Sequence, residues 1–417
     1  MQFPKMSRIR QKFDAPIVAD IPATTQRETS RMIAQRGMLE GQSVAVATGS
    51  RGVSNIGLIV HNTVISLQNA GLKPFIVPAM GSHGGATPEG QLRVLAHYGI
   101  DEENMGCPLK SDIEPELIAE TEDGLPVYVD KNALGADHIV VVNRVKPHTD
   151  FEGDIGSGLM KMLAIGLGKQ KGASFYHGAV FEYGFERMIT SVARHVVARA
   201  NVAFGLAIVE NAYDETAHVI GVPAEELEAR ERELFKESKR LMPRLPFDEM
   251  DVLIVDEMGK NISGTGMDTN LIGRRMQNFE DEPKTPQILR IFVRDLTPES
   301  EGNAVGVGLA DFTTSQLVEK INTHYTYVNS ITGMSPQKSR IPVHFSSDRE
   351  VIEAALSTIG MTRPEDARVV RIKNTLKVGE VEISEILTQE LAQREDLELV
   401  AGAAPMVFDS NDMLASL

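Results

Sequence analysis

"SVAVATGSRGVSNIGLIVHNTVISLQNAGLKPFIVPAMGSHGG", residues 43–85, decides the fold class. SVAVAT (43–48) is a short apolar run of strand length, with no polar alternation, as expected of a strand buried on both faces. SNIGLIVHNTVISLQNAG (54–71) is long enough for a helix and ends at Gly71, a natural helix stop. KPFIVPAM (73–80) is a second strand. Strand, helix and strand in this order imply a parallel sheet covered by helices.

The alternation continues outward. TPEGQLRVLAHYG (87–99) reads as a helix with Thr87 as N-cap and Pro88 in its first position. HIVVVNRV (138–145) is a strand, residues 180–201 read as one long helix, and VAFGLAIVE (202–210) is another strand. Residues 224–250 look like a charged surface helix that ends near Pro243 and Pro246. DVLIVDEMG (251–259) then opens a second α/β unit, continued by ILRIFVRDL, AVGVGLADF, REVIEAALSTIG and ARVVRIKN. The expected architecture is α/β: two domains with mainly parallel sheets covered by helices and an active site in the interdomain cleft. The N-terminal domain spans 1–246 and the C-terminal domain 247–404, with the tail at 405–417 packing back on the first domain.

With 417 residues the chain is too long for one average domain. The net charge of −16 argues against non-specific binding to nucleic acid or anionic membrane. Trp is absent and aromatics make up 5%, so stacking platforms for single strands are not expected. A single cysteine, Cys107, excludes an internal disulfide and a multi-cysteine metal site, and fits a reducing cytoplasm. The sequence has no long apolar run of membrane-spanning length, and the N-terminus lacks the apolar core of a signal peptide.

In open α/β sheets, ligands bind beyond the carboxyl ends of the strands. Three polar clusters follow strands here: TGSRG with Arg51, GSHGG with His83, and KPHTD with His148. Parallel strands would deliver an arginine and two histidines to one crevice. The other histidines, His177 apart, are expected to be structural. GDIGSGLMK resembles a phosphate cradle at a helix start, but GLGKQKG misses the Walker pattern because Gln170 stands where Ser or Thr should bind Mg²⁺. No GxGxxG follows a strand correctly and no GxSxG elbow exists. Lys161 lies in the apolar run LMKMLAIG, where an unpaired amine would be costly; Met160 and Met162 are read as core filler.

At these residues the sequence resembles the nickel-pincer lactate racemase family. GSHGGAT resembles the turn that carries the family's first catalytic histidine, at His83, and KPHTD its second, at His148. GSGLMKMLAIG resembles the segment that tethers the cofactor, at Lys161, and sixteen residues on His177 falls at the spacing of the nickel ligand. SGTGMDTNLIGRRM resembles a substrate-side stretch of the second domain through Asp268 and Asn270. Some positions depart from the pattern. His148 lies thirteen residues before Lys161, Ile165 replaces a proline, and Thr48 stands where the founding racemase has an aspartate. Gly273 and Met276 replace a glutamine and the substrate lysine, for which Arg274 or Arg275 would substitute.

The resemblance implies a nickel-pincer nucleotide, a pyridinium bisthiocarboxylic acid mononucleotide, attached covalently to Lys161. Its nickel would be held by His177 and its phosphate would contact Gly156, Ser157 and Gly158. A flat site of soft sulfur donors with one imidazole suits Ni(II), and a cofactor that brings its own sulfur explains how a chain with one cysteine could bind nickel. Arg51 and Arg274 would bind the carboxylate of a small-molecule 2-hydroxy acid. His83 and His148 would handle its hydroxyl proton from opposite faces while hydride leaves and returns through a 2-keto acid. The implied activity is an isomerase, a racemase or epimerase. Its functional partners would be cofactor-synthesis enzymes, and a homo-oligomer is compatible. Two other readings stand beside it: a hydrolase or lyase with His83, His148 and His177 as metal ligands, and a non-catalytic hydroxy-acid-binding protein.

Overall fold

SVAVAT forms a strand, but another strand precedes it. In the computed structural model, which describes residues 1–49, 52–81, 83–278 and 280–417, β1 (Met6–Gln11) opens the chain, and α1 (Ile21–Arg36) leads to β2 (Ser43–Thr48). β2 feeds α2 (Ile56–Asn69) and β3 (Lys73–Pro78), as the strand–helix–strand reading expects. α3 (Pro88–His97) starts where its cap chemistry dictates: the Thr87 hydroxyl accepts from the Gly90 N–H at 3.0 Å and Pro88 opens the helix. β4 (Pro115–Glu120) and β5 (Pro126–Asp130) form a separate antiparallel ribbon before β6 (His138–Arg144).

α4 (Leu159–Lys161) runs into a π-helix (Met162–Gly166), and α5 (Lys169–Tyr183) and α6 (Phe185–Arg199) follow. The single helix expected over 180–201 is therefore two. Gly184 has φ 74°, which no residue inside a right-handed helix adopts, and it ends one helix and starts the next. β7 (Val202–Glu210), β8 (Thr216–Pro223) and α7 (Leu227–Leu241) come next.

The chain divides into two units. One holds Ala15–His148 and Glu152–Met242. Its sheet has the order β3-β2-β6-β7-β8, parallel except for the β7–β8 pair. Val44, Val46, Val140, Val142, Phe204 and Leu206 are buried in one core with α2 residues Ile59 and Leu67. The registers level the strand ends, since Thr48 pairs with both Pro78 and Val142. Whatever follows these three strands emerges at one edge.

The other unit holds Met1–Asp14, Thr149–Phe151 and Pro243–Leu417. It contains β9 (Glu249–Met258), β10 (Gln287–Leu296), β11 (Phe312–Thr314), β12 (Val343–Phe345), α8 (Asp348–Leu356), β13 (Val369–Ile372), β14 (Glu380–Ser384) and β15 (Leu397–Ala404). The sheet order is β12-β11-β10-β9-β13-β14-β1-β15. β12 through β13 are parallel, and β14, β1 and β15 are antiparallel additions. AVGVGLADF gives only its last residue to β11.

Two expectations about domain limits change. Residues 1–14 do not belong with 15–242, because β1 pairs with β14 and β15, Met6 lying opposite Ser384. The 405–417 tail also stays in the C-terminal unit. The Leu414 N–H donates to Asp348 at 2.8 Å, and Arg294 and Arg371 each donate to tail carbonyls, Leu414 O and Ala415 O, at 2.6 Å. Buried guanidiniums need acceptors, and the tail supplies them. Thr149–Phe151 is held in the same unit by Thr269, whose hydroxyl donates to Thr149 O, and by buried Lys338, which donates to Asp150 at 2.6 Å and to Gln277 at 2.9 Å. Among the described residues, no helix is long and apolar enough to cross a membrane.

Candidate active site at the strand ends

Beyond β6 the chain leaves the sheet and returns to it. Lys146 and Ser157 exchange both backbone hydrogen bonds at 2.8 Å, closing the excursion that contains His148. Gly156 permits this return. A side chain there would come within 2.5 Å of Lys146 O and 2.6 Å of the Phe235 ring.

The returning segment then lies across all three strand ends. Asn143, at the end of β6, sits where a side chain at Gly49 would collide, 2.5 Å from its Oδ1, with Met162 Cε 3.4 Å away. Gly166 abuts Ala79 after β3, whose carbonyl oxygen would be 2.8 Å from an added Cβ. Gly81 abuts α5, with Ala173 Cβ 2.9 Å from the same construction. The segment 158–173 is thus packed against residues just beyond β2 and β3 and against the last residues of β6.

His83 occupies a tight turn (His83–Ala86) in which Gly84 and Gly85 have φ 63° and 67°. Gly84 cannot be replaced cheaply, since an added Cβ would meet the Gly90 carbonyl carbon at 2.3 Å. His148 is half-buried, its ring stacked on buried Phe185 with centroids 6.0 Å apart and planes 27° from parallel. Lys161 is half-buried between buried Met160 and Met162, its Nζ 3.4 Å from Ser157 Oγ. His177 lies on α5 and is also half-buried. One unit therefore carries all four: the His83 turn and the His148 loop follow β3 and β6, Lys161 lies in the segment packed on the strand ends, and His177 lies one turn past Ala173 on α5. Arg51 lies outside the described residues.

The remaining expectations fare differently. Arg274 donates to Leu309 O and Asp311 through Nη1 and to Ile288 O through Nη2, so a substrate role would require these bonds to break. Arg275 is buried, with Nη1 donating to Asp281 O and Nη2 to Asn270 at 3.4 Å. Asp268 accepts from the Asn270 N–H at 3.0 Å and from its side-chain amide at 3.2 Å, an Asx turn that shapes the loop itself.

The helix start at Leu159 is already taken. Glu231, fully buried on α7, accepts from the Met160 N–H at 2.8 Å, and a side chain at Gly158 would lie 2.2 Å from its Oε1. Burial pushes the Glu231 carboxyl up to about 7, against the pull of the Met160 and Leu159 N–H groups. A phosphate at this helix start would meet that carboxyl, and Gly156 and Gly158 each have a packing reason to be glycine apart from any ligand. The 224–250 stretch reads as a surface helix, yet Glu231 falls on its buried face with Leu227, Leu234, Phe235, Ser238 and Leu241. That spacing was the available signal.

Glu231 makes stability pH-dependent. Its folded value lies above the ordinary 4.5, so the proton it holds favours the folded state below that value, and the benefit is lost as pH rises toward 7. Glu231→Gln is expected to gain about 3 kcal/mol over wild type between pH 4.5 and 8. Urea melts across that range check it; parallel curves for the two proteins would contradict it. The buried Cys107 thiol is raised to about 11 by burial and the nearby Glu102, which removes it from thiolate chemistry at neutral pH.

No family model matches the chain, and no curated protein does. Among solved structures it is similar to the lactate racemase apoprotein from Thermoanaerobacterium thermosaccharolyticum, at 15% identity and a TM-score of 0.49, over 93% of this chain and 92% of that one. The likeness is one of fold, and no chemical role rests on it.

Proposed function

We propose that the protein is a racemase or epimerase of a 2-hydroxy acid that works with a nickel-pincer nucleotide. The observation that carries this reading is the packing of the 158–173 segment, which contains Lys161, against the carboxyl ends of β2, β3 and β6, the strands from which the His83 turn and the His148 loop lead off.

The residues present fit such a group in part. Lys161 is a half-buried amine between buried Met160 and Met162, placed to carry a tethered group. His177 would supply the single imidazole. Among the described residues, no group of three or more His, Cys, Asp or Glu side chains could hold a metal ion. When bound, the nickel nucleotide would supply a reversible hydride acceptor. Its phosphate would bind elsewhere than at the Glu231-capped helix start.

The chain's own residues do the rest. Arg51 binds the substrate carboxylate with its planar fork. One of His83 and His148, unprotonated, takes the hydroxyl proton as the 2-keto acid forms. The other, already protonated, gives its own proton to the oxygen after the acid presents its opposite face, and the two imidazoles exchange their protons with solvent before the next turnover, since inversion needs a proton carrier on each side. Phe185 holds the plane of the His148 ring through the stacking contact.

The test is co-expression with pincer-synthesis enzymes. The wild-type chain should gain mass, carry nickel and interconvert the enantiomers of at least one acid in a 2-hydroxy-acid panel; Lys161→Ala should lose the added mass. A bare wild-type mass without nickel would end the assignment.

A further inference from the structure

GLGKQKG fails as a phosphate loop, yet its first lysine is among the most deeply buried side chains of the protein. Lys169 and Asp130 are both 0% exposed and face each other at 3.4 Å. The Lys169 ammonium also donates to Pro78 O and to Gln91 Oε1, each at 2.9 Å. Gln91, itself buried, turns its amide to Met80 O at 3.2 Å and Gly81 O at 3.3 Å. Asp130 caps the short helix that follows β5 through the Ala133 N–H at 2.9 Å, and its own N–H donates to Leu167 O at 2.7 Å. One ammonium thus ties the end of β3, the residues just before His83, and β5.

Its backbone is equally unusual. Lys169 has φ 56°, in the left-handed region that bulky residues avoid. This residue starts the α5 leg that bears His177, three positions after the end of the π-helix that follows Lys161. A continuous straight helix would separate residues sixteen positions apart by about 24 Å, too far for one small flat ligand to touch both. The corner at Lys169 changes that path. Glycine would make the corner at lower conformational cost, and a buried ion pair is an expensive way to hold a fold. The side chain therefore does something the corner alone does not.

We infer that Lys169, with Asp130 and Gln91, is a positioning residue that sets the His83 turn against the Lys161–His177 corner. The inference rests on the proposed racemase reading for its catalytic consequence, but not for its structural one.

The test pairs the double variant Lys169→Met/Asp130→Asn, which removes both charges together, with Gln91→Leu, which keeps the ion pair but cuts the links to Met80 and Gly81 and one acceptor of the ammonium. Two readouts are taken. In the protein without cofactor, amide exchange of residues 79–86 is expected to speed up at least about tenfold while β6 and β7 stay protected. In the loaded enzyme, the Lys161 mass addition should persist, with kcat falling about 100-fold and KM little changed, as misplacement by an ångström predicts. Unchanged exchange over 79–86 in the folded variants would overturn the positioning role. So would kcat within twofold of wild type. If the double variant does not fold, Gln91→Leu decides by the same two criteria. If wild type racemises nothing, the functional reading falls while the exchange measurement still judges the network.

Discussion

Replacement of His83 or His148 by Asn, each alone, is expected to lower racemisation by about 10²–10⁴ in both directions. Each direction uses both histidines, one as base and the other as acid, because a proton is taken on one face and a second proton is delivered on the other, so neither single variant should keep one direction fast. Asn retains hydrogen-bonding capacity but not a proton-transfer pKa, which separates proton transfer from mere polarity. The Lys161 mass addition should survive in both variants. The double variant should be little worse than the worse single one, as for residues that act as a unit. Turnover in D₂O gives an independent reading: hydride return leaves Cα without deuterium, whereas proton abstraction would wash it in. Activity within tenfold of wild type in either variant would remove that histidine from the mechanism.

The largest stability effect is expected at Asp256. This buried carboxylate accepts from Arg371 Nε at 2.8 Å, from Arg371 Nη2 at 2.9 Å and from Arg294 Nη1 at 2.9 Å. Asp348, fully buried, accepts from Arg294 through two further bonds, and both arginines also hold the tail carbonyls. Asp256→Asn leaves Arg371 with only Glu382 and Arg294 with only Asp348 as carboxylate partner, where each had two. Breaking a buried pair in this one-sided way costs about 3–5 kcal/mol, which for a unit of this size lowers the melting temperature by about 10 °C. Adding Arg371→Met should recover part of the loss, because it removes a buried charge that has lost its bidentate partner. A melting point within two degrees of wild type for Asp256→Asn would show that solvent compensates for the network.

Much of the N-terminal fold was legible because its signals are local. β2, α2 and β3 follow from an apolar run, a helix-length segment with a glycine stop and a second apolar run. Thr87 and Pro88 announced α3 through cap chemistry that needs no distant partner. The grouping of the His83 and His148 loops follows from the strand-end rule, and the level register of β2, β3 and β6 is consistent with it. Gly184 was legible only in principle: the sequence shows a glycine inside a helical pattern, whereas its left-handed φ is set by how α5 and α6 pack.

By itself, then, the order of residues determined the parallel α/β class, the caps, and the loops that carry the candidate chemistry, all of which depend on periodicity or on neighbours a few positions away. Only the tertiary structure decided that β1 closes a sheet with strands nearly four hundred residues on, that the tail lies with α8 and β13, and that Glu231 and Lys169 are interior charges rather than solvated ones. The reason is physical. Strand pairing at long range and the burial of an ionisable group are set by whatever surface arrives opposite them, and a linear pattern of polar and apolar residues does not encode which surface that is.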